Sequence, residues 1–390
     1  MRPRTRALLL ALPAALLVRA AAAAPAAVPA LDHVIVVVME NQDYSQVRNL
    51  TYIRSLRLAG AELTSSYGVT QTSSQPNYLA MWAGNTFGIS TNICPATGSP
   101  YTAENLGHAL EAAGKTWRAY SENLPATGSS VCTSGGTSPL YTRKHGPWTN
   151  FSNLDHNNER VYSDLAVDIA NQTLPNIAYV IPNNCNNMHN TGCTPTMGDT
   201  WLSNNLPAMI DAVGFNGCVI LTWDEDQGLL NGNNNHILTV FKGARVTVGF
   251  QSPGVVTHLD VLRTIGDALG LAPIGQAAIA SPILDIWYEG RLGVPPGAGG
   301  EVLLSTPTPN PSSGEVSARL WLPATAVVEA GVYDIAGHVV RGLARGTYSG
   351  AVELRWDGRR DDGSSAGAGI YFLKVRAGGR ALRQKAILLR

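Results

Sequence analysis

Past residue 24, no apolar run in this 390-residue chain reaches the about eighteen residues that a transmembrane helix requires, so the sequence predicts no bilayer span there. CxxC spacing is missing among the five cysteines, which argues against a zinc knuckle or ribbon. Net charge is missing as well, 28 Lys+Arg balancing 28 Asp+Glu. That zero hides an asymmetry: residues 25–300 carry 12 basic against 20 acidic side chains, and residues 301–390 carry 12 against 8. An acidic main segment is a poor partner for nucleic acid or an anionic membrane and favours small substrates. Neither a repeat nor a helical periodicity is found beyond residue 314.

What is present begins with an export signal. Arg2, Arg4 and Arg6 precede an apolar run over 7–18 and small residues at 20–24, the layout of a secretory signal over 1–24. Export to the periplasm, the cell surface or the medium permits disulfides. Cys185 with Cys193 and Cys94 with Cys132 are the expected pairs, leaving Cys218, at the head of an apolar strand, as a buried thiol.

The apolar run at 34–39 has no polar position, as in a central parallel strand covered on both faces. It ends in Glu40 and Asn41, at the strand end where open α/β sheets bind ligands. Further strands are expected over 116–120, 177–181, 218–223 and 236–241, and helices over 45–59, 77–84, 104–113, 161–170, 201–213 and 258–269. This alternation predicts an α/β catalytic domain over 31–290, with a mainly parallel central sheet flanked by helices. A Gly/Pro/Ser/Thr-rich linker follows over 291–314, then a small all-β, immunoglobulin-like sandwich over 315–390 with strands at 316–322, 326–333, 351–356, 370–375 and 381–389.

Three clusters can join Glu40 and Asn41 at the sheet edge. Ser74 precedes Pro76-Asn77 at a helix entry, where free amides favour an anion and a hydroxyl can attack phosphorus. Asp224, Glu225 and Asp226 end an apolar strand, and packed carboxylates of this kind are relieved by a cation or a shared proton. Lys144, His145 and His189 offer cationic and proton-donating groups for a phosphoryl centre, with Asp199 and Trp201 close behind. Each cluster, taken alone, is equally compatible with a helix cap, an ordinary Ser-Pro helix entry, a solvated turn or a structural histidine.

Together the motifs Glu40-Asn41, Ser74-x-Pro-Asn77, Lys144-His145-x-Pro, Asn187-Met-His189, Asp199-x-Trp201 and Trp223-Asp-Glu225 resemble, in order, the phosphoesterase family of bacterial phospholipases C and secreted acid phosphatases, within the alkaline phosphatase superfamily. The resemblance implies an alkaline-phosphatase-like fold and a hydrolase of phosphoric esters. It also implies one divalent metal ion of unknown identity on Glu40, Asn41, Ser74, Asp224 and Glu225, with Ser74 as nucleophile and His145 and His189 facing the phosphoryl group. The two-metal members of the superfamily have an Asp-His pair where this chain has Asp224-Glu225, which favours a single metal. A second likeness, of 74–92 to nucleotide pyrophosphatases, implies Asn92 as a phosphate ligand, and Lys144 is expected to bind substrate beside it. The expected activity is that of a secreted acid-phosphatase-like phosphomonoesterase on a small phosphoester. The alternatives are a phospholipase C-type phosphodiesterase and a non-catalytic metal-binding protein on the same scaffold. The tail motifs Pro309-Asn-Pro, Val332-Tyr-Asp, Trp356-Asp-Gly and Gly369-Ile-Tyr-Phe resemble the immunoglobulin-like domain of flagellar hook-cap proteins and related sorting domains. They imply a non-catalytic role in engaging a secretion or cell-surface apparatus.

Overall fold

Six consecutive apolar side chains leave no wet face, and β1 (His33–Met39) accordingly runs through the middle of an eight-stranded sheet with residues 34–39 all buried. The computed structural model describes residues 27–71, 73–95, 100–227, 234–287, 302–305, 307 and 309–389. The expected signal and most of the expected linker lie outside them. Among the described residues, no helix is long and apolar enough to cross a membrane.

The other strands of the main sheet are β2 (Ala61–Tyr67), β3 (Trp117–Ser121), β4 (Glu159–Val161), β5 (Ile177–Ile181), β6 (Gly217–Trp223), β7 (His236–Lys242) and β8 (Phe250–Thr257). Their spatial order is β8-β2-β7-β6-β1-β5-β3-β4, and only β7 runs antiparallel to its neighbours. The mainly parallel sheet expected from the sequence is therefore present. Alternate residues of β1 point to opposite faces. Val34, Val36 and Val38 join a core that includes α3 (Ser74–Ala83), α4 (Leu106–Ala112) and α7 (His258–Leu269). Ile35, Val37 and Met39 join the core on the other face, with α2 (Thr51–Ala59), α5 (Ser163–Asn171) and α6 (Pro195–Val213). The carboxyl ends of β1, β3, β5 and β6 emerge on one edge.

Several boundaries differ from expectation for identifiable reasons. The helix expected over 45–59 is two, α1 (Tyr44–Val47) and α2, the second entered through an extended Leu50. α3 starts at Ser74, not beyond Pro76. Proline in a first helical turn forfeits no intrahelical bond, because those N–H groups have no partner in the helix. α6 starts at Pro195, six residues before its expected start, behind the Thr194 cap. β2 and β8 have no clear apolar run: β2 carries Glu62, buried and held by Arg57 and Tyr44, and β8 is an exposed edge strand. α7 begins and ends where its periodicity predicts, closed by Gly270 at φ +70°.

The tail is all-β. Its strands β9 (Leu303–Leu304), β10 (Val316–Tyr333), β11 (Val339–Trp356), β12 (Gly369–Ala377) and β13 (Arg380–Leu388) hydrogen-bond into one antiparallel sheet. The segments expected at 316–322 and 326–333 are a single strand with a register shift between Leu322 and Ala326. The segment expected at 351–356 is only the end of β11. Two apolar clusters, one around Leu320 and Val375 and one around Trp356 and Tyr371, fill the domain.

Candidate active site

The register Met39–Trp223 across β1 and β6 puts Glu40 and Asp224 side by side as the chain leaves both strands. The Asn41 N–H donates to Asp224 Oδ1 at 3.2 Å, and Asn41 adopts φ +48°, a left-handed conformation that asparagine tolerates better than most residues. Ser74, the first residue of α3, faces this pair: its Oγ donates to Glu40 Oε2 at 3.0 Å and lies 3.5 Å from Glu225 Oε1. All ten residues of α3 are buried, so the hydroxyl is fixed by the core beneath it.

Lys144 Nζ donates to the same Ser74 Oγ at 3.1 Å, and Tyr78, one turn along α3, donates its hydroxyl to Glu40 Oε1 at 2.6 Å. His145 Nε2 is 3.1 Å from Glu40 Oε1. A ligating atom from each of Glu40, His145 and His189 lies within 4.8 Å of the other two. The structure thus gathers Glu40, Asn41, Ser74, Lys144, His145, His189, Asp224 and Glu225 at one point. Asp226 turns away and exchanges hydrogen bonds with Asn235.

Burial opposes charge on Glu40, but the neighbouring His145, Lys144 and His189 and the Tyr78 hydroxyl outweigh that and hold its pKa down to about 2. Burial drives His145 the other way, well below the ordinary histidine value. The two shifts compete for one contact. With Lys144 also against the carboxylate, Glu40 is the group that stays charged and His145 the one that stays neutral. Burial, then repulsion from Glu40 and Glu225, pushes Asp224 far above the carboxylate range. Burial and the Glu40 charge push Glu225 up to about 8.

Asn41 Oδ1, Asp224 Oδ2 and Glu225 Oε2 are buried with no hydrogen-bond partner. Three unpaired oxygens from an amide and two carboxylates, beside a hydroxyl, form a hard donor set, and a divalent cation fits it.

His189 reaches the site on a loop closed by the Cys185–Cys193 disulfide. The other bridge is Cys94–Cys132, and Cys218 is a buried thiol, the arrangement expected from spacing. Met188 takes φ +78°, unfavourable for a residue with a Cβ, and its side chain packs over Gly198, where a Cβ would lie 2.4 Å from the methionine Cε. Glu122, just past β3, grips the same loop by accepting from the Asn183 N–H and Asn186 Nδ2 (both 2.8 Å) and from Trp201 Nε1 (2.9 Å). Asp199 accepts the Tyr52 and Ile53 N–H groups at the start of α2. Asp199 and Trp201 therefore hold the scaffold and touch no reacting position. Breaking the bridge with Cys185→Ser is expected to cost about 2–3 kcal/mol of stability and to lower turnover by about ten- to a hundredfold through a displaced His189. Denaturant titration and steady-state kinetics would measure both. Unchanged turnover in a destabilised variant would separate the loop from the chemistry.

Asn92, exposed, accepts the Gln75 N–H at 3.1 Å and so sits at the first turn of α3 beside Ser74. Three contributors escaped the sequence reading. Tyr78 and Glu122 carry no motif of their own, and His258 shows only as the start of a helix, although its Nε2 contacts the Asp224 carbonyl at 2.7 Å. Beside Asn41 and His189 lies an open pocket of about 500 Å³, walled by the turn after β1, the disulfide loop and Gln227.

The profile of the Phosphoesterase family matches residues 47–258, and that of the FlgD Ig-like domain matches residues 306–380. A phosphatidylinositol-3-phosphatase of Mycobacterium tuberculosis is 38% identical over 68% of this chain and 86% of its own length. An acid phosphatase of Aspergillus fumigatus is 28% identical over 64% of this chain, which spans only 57% of that protein. A solved structure of an alkaline phosphatase superfamily protein from Vibrio parahaemolyticus, 11% identical, covers 76% of each chain with a TM-score of 0.46.

Proposed function

We propose, from the premise that this chain belongs to the Phosphoesterase family, that it is a phosphomonoesterase acting through a phosphoserine at Ser74. The observation that carries this is the Ser74 hydroxyl itself, which donates to an ionised Glu40 and accepts from Lys144 in a buried setting. The carboxylate draws the hydroxyl proton, and the ammonium favours the negative charge that develops on Oγ. Attack forms the Oγ–P bond as the bond from phosphorus to the alcohol oxygen breaks. His189, half-buried at the mouth of the pocket, is placed to give that oxygen a proton. Water then attacks phosphorus, Ser74 leaves with its proton restored, and inorganic phosphate is released. Asn92 and Lys144 bind the phosphoryl oxygens, and His145, kept neutral, orients Glu40.

Glu40, Asn41, Ser74, Asp224 and Glu225 would hold one divalent cation, whose charge would lower the pKa of the serine and offset that of the phosphoryl oxygens. A phospholipase C would need an apolar groove here, whereas Met188 is the one large apolar side chain among the described residues that line the pocket. A non-catalytic calcium site would have no use for a serine in this position. We further assign the protein to the exported class, with catalysis confined to the main domain over 31–290 and the tail serving sorting or docking.

The test is chemical trapping. Enzyme quenched in acid during turnover of a labelled phosphoester should carry the label on the peptide containing Ser74. Label on a peptide containing His145 or His189 would transfer the nucleophile's role to histidine.

A further inference from the structure

Along β10, β12 and β13 of the tail, side chains alternate between the core and the outer face of the sheet. The inner set includes Val328, Ala330, Val332, Leu373, Val375 and Ala386. Strand register arranges the outer set in rows. Tyr333 pairs with Phe372, which pairs with Lys385; one step along, Lys374 lies beside Arg383, and one step further Glu329 lies beside Arg376. In the opposite direction the row is Ile370 beside Ile387. The outer face therefore changes character along its length, from aliphatic through aromatic to cationic.

The aliphatic end is open to solvent. Ile335, in the turn that leaves Tyr333, is 78% exposed, Val339, paired with Tyr333 across that turn, 58%, Ile370 46%, and Leu389, just past β13, 50%. The two rings beside it are half-buried, each under a cation: Lys374 Nζ lies 4.5 Å from the centroid of Tyr333 and Arg383 Cζ 4.8 Å from that of Phe372. Among the described residues, none of Lys374, Arg376, Arg383 and Lys385 forms an ion pair. The acids close by are offset or engaged. Glu329 stands in register between Arg345 and Arg376, Asp334 accepts the Ala336 and His338 N–H groups of its own turn, and Asp361 accepts the Gly342 N–H.

We propose that this face docks the protein on an anionic lipid bilayer, with the aliphatic end dipping into the interface, Tyr333 and Phe372 at headgroup level and the four cations against the lipid phosphates. The order of the rows is the order of depths in such an interface: aliphatic side chains enter the acyl boundary, rings sit among the headgroups, and Lys or Arg stay at the charged surface. A soluble polyanion would use the cations but would leave the four exposed aliphatic side chains in water. A two-fold pair of copies joined through this face would bring like cations together. The main domain, with 20 acidic against 12 basic side chains over 25–300, is repelled by the same surface, so the contact falls to the tail. Such docking does not depend on which phosphoester the main domain hydrolyses.

Full-length protein should be sedimented with vesicles of phosphatidylcholine and phosphatidylglycerol in equal parts, and with vesicles of phosphatidylcholine alone. Partitioning onto the anionic vesicles should be stronger by about a hundredfold and should weaken as salt is raised. The triple variant Lys374→Gln/Arg383→Gln/Lys385→Gln should lower it by about a hundredfold, close to fivefold for each cation. The double variant Ile335→Ser/Ile370→Ser should lower it by about tenfold. All five side chains lie outside the tail's core, and thermal melting checks that both variants stay folded. Equal partitioning of the unmodified protein onto the two kinds of vesicle, or unchanged partitioning of the triple variant, overturns the docking. Full retention by the double variant would reduce the face to a site for soluble polyanions, and self-association of the free protein that the triple variant abolishes would assign it to a second copy; either result overturns the bilayer as partner.

Discussion

Ser74→Ala is expected to lower phosphomonoester turnover by about 10⁴-fold or more while the protein keeps its fold. The size of the effect follows from what the Oγ does. In the proposed reaction it contributes the bond-forming atom, and both Glu40 and Lys144 hydrogen-bond to that atom. Removing it leaves the ammonium facing a carboxylate, an arrangement that still balances charge, so the helix should not unfold. Burial of the whole of α3 supports the same expectation, since Ala fits where Ser fitted. Thermal melting would verify the fold and steady-state kinetics the loss. Were a bound water the nucleophile and Ser74 only a ligand, the variant would retain something near a tenth of its turnover, and that result would sink the covalent route.

Removing the cation should have the second-largest effect. A chelator should abolish turnover and lower the melting temperature, because an ion that binds only the folded state stabilises it by about 2.7 kcal/mol at a hundred times its dissociation constant. Asp224→Ala should lower the metal content of purified protein, measured by elemental analysis. The pH dependence has a definite sign. With no cation bound, Asp224 and Glu225 hold protons up to the high pKa values that burial and Glu40 impose, about 8 for Glu225. A cation must displace those protons, so its apparent affinity should rise with pH through about 8, where Glu225 gives up its proton. An affinity independent of pH between 5 and 8, on calorimetric titration, would remove these two carboxylates from the ligand set.

The parts of this site that could be read in advance are those whose chemistry interrupts an apolar pattern. Glu40 and Asp224 each end a run of buried residues, and their meeting follows from two such runs lying side by side in a parallel sheet. Ser74 stood out through the Pro-Asn that follows it. Tyr78 and Glu122 did not, because a tyrosine in a helix and a glutamate after a strand are ordinary until the fold brings Glu40 to one and the His189 loop to the other. The same limit governed the strands. β1 and β6 announce themselves by continuous burial, whereas β2 pairs through its backbone and offsets a buried Glu62 with Arg57 and Tyr44, none of which appears as periodicity. Asp199 and Trp201 share a motif in the sequence, yet they work as braces, a distinction that only hydrogen-bond partners reveal.

The position of β1 has a consequence for the order in which the protein can be built. It is the first strand of the sheet to be synthesised, yet its two neighbours are residues 177–181 and 217–223. A nascent chain that has not yet emerged past Trp223 has Glu40 and Ser74 but neither Asp224 nor the strand that would present it. Every shorter intermediate therefore lacks the acid pair, and Ser74 waits in an unfinished core. Contacts at such separations also close slowly. The site is therefore complete only late, once residues 217–225 have been laid beside a strand made about 180 residues earlier.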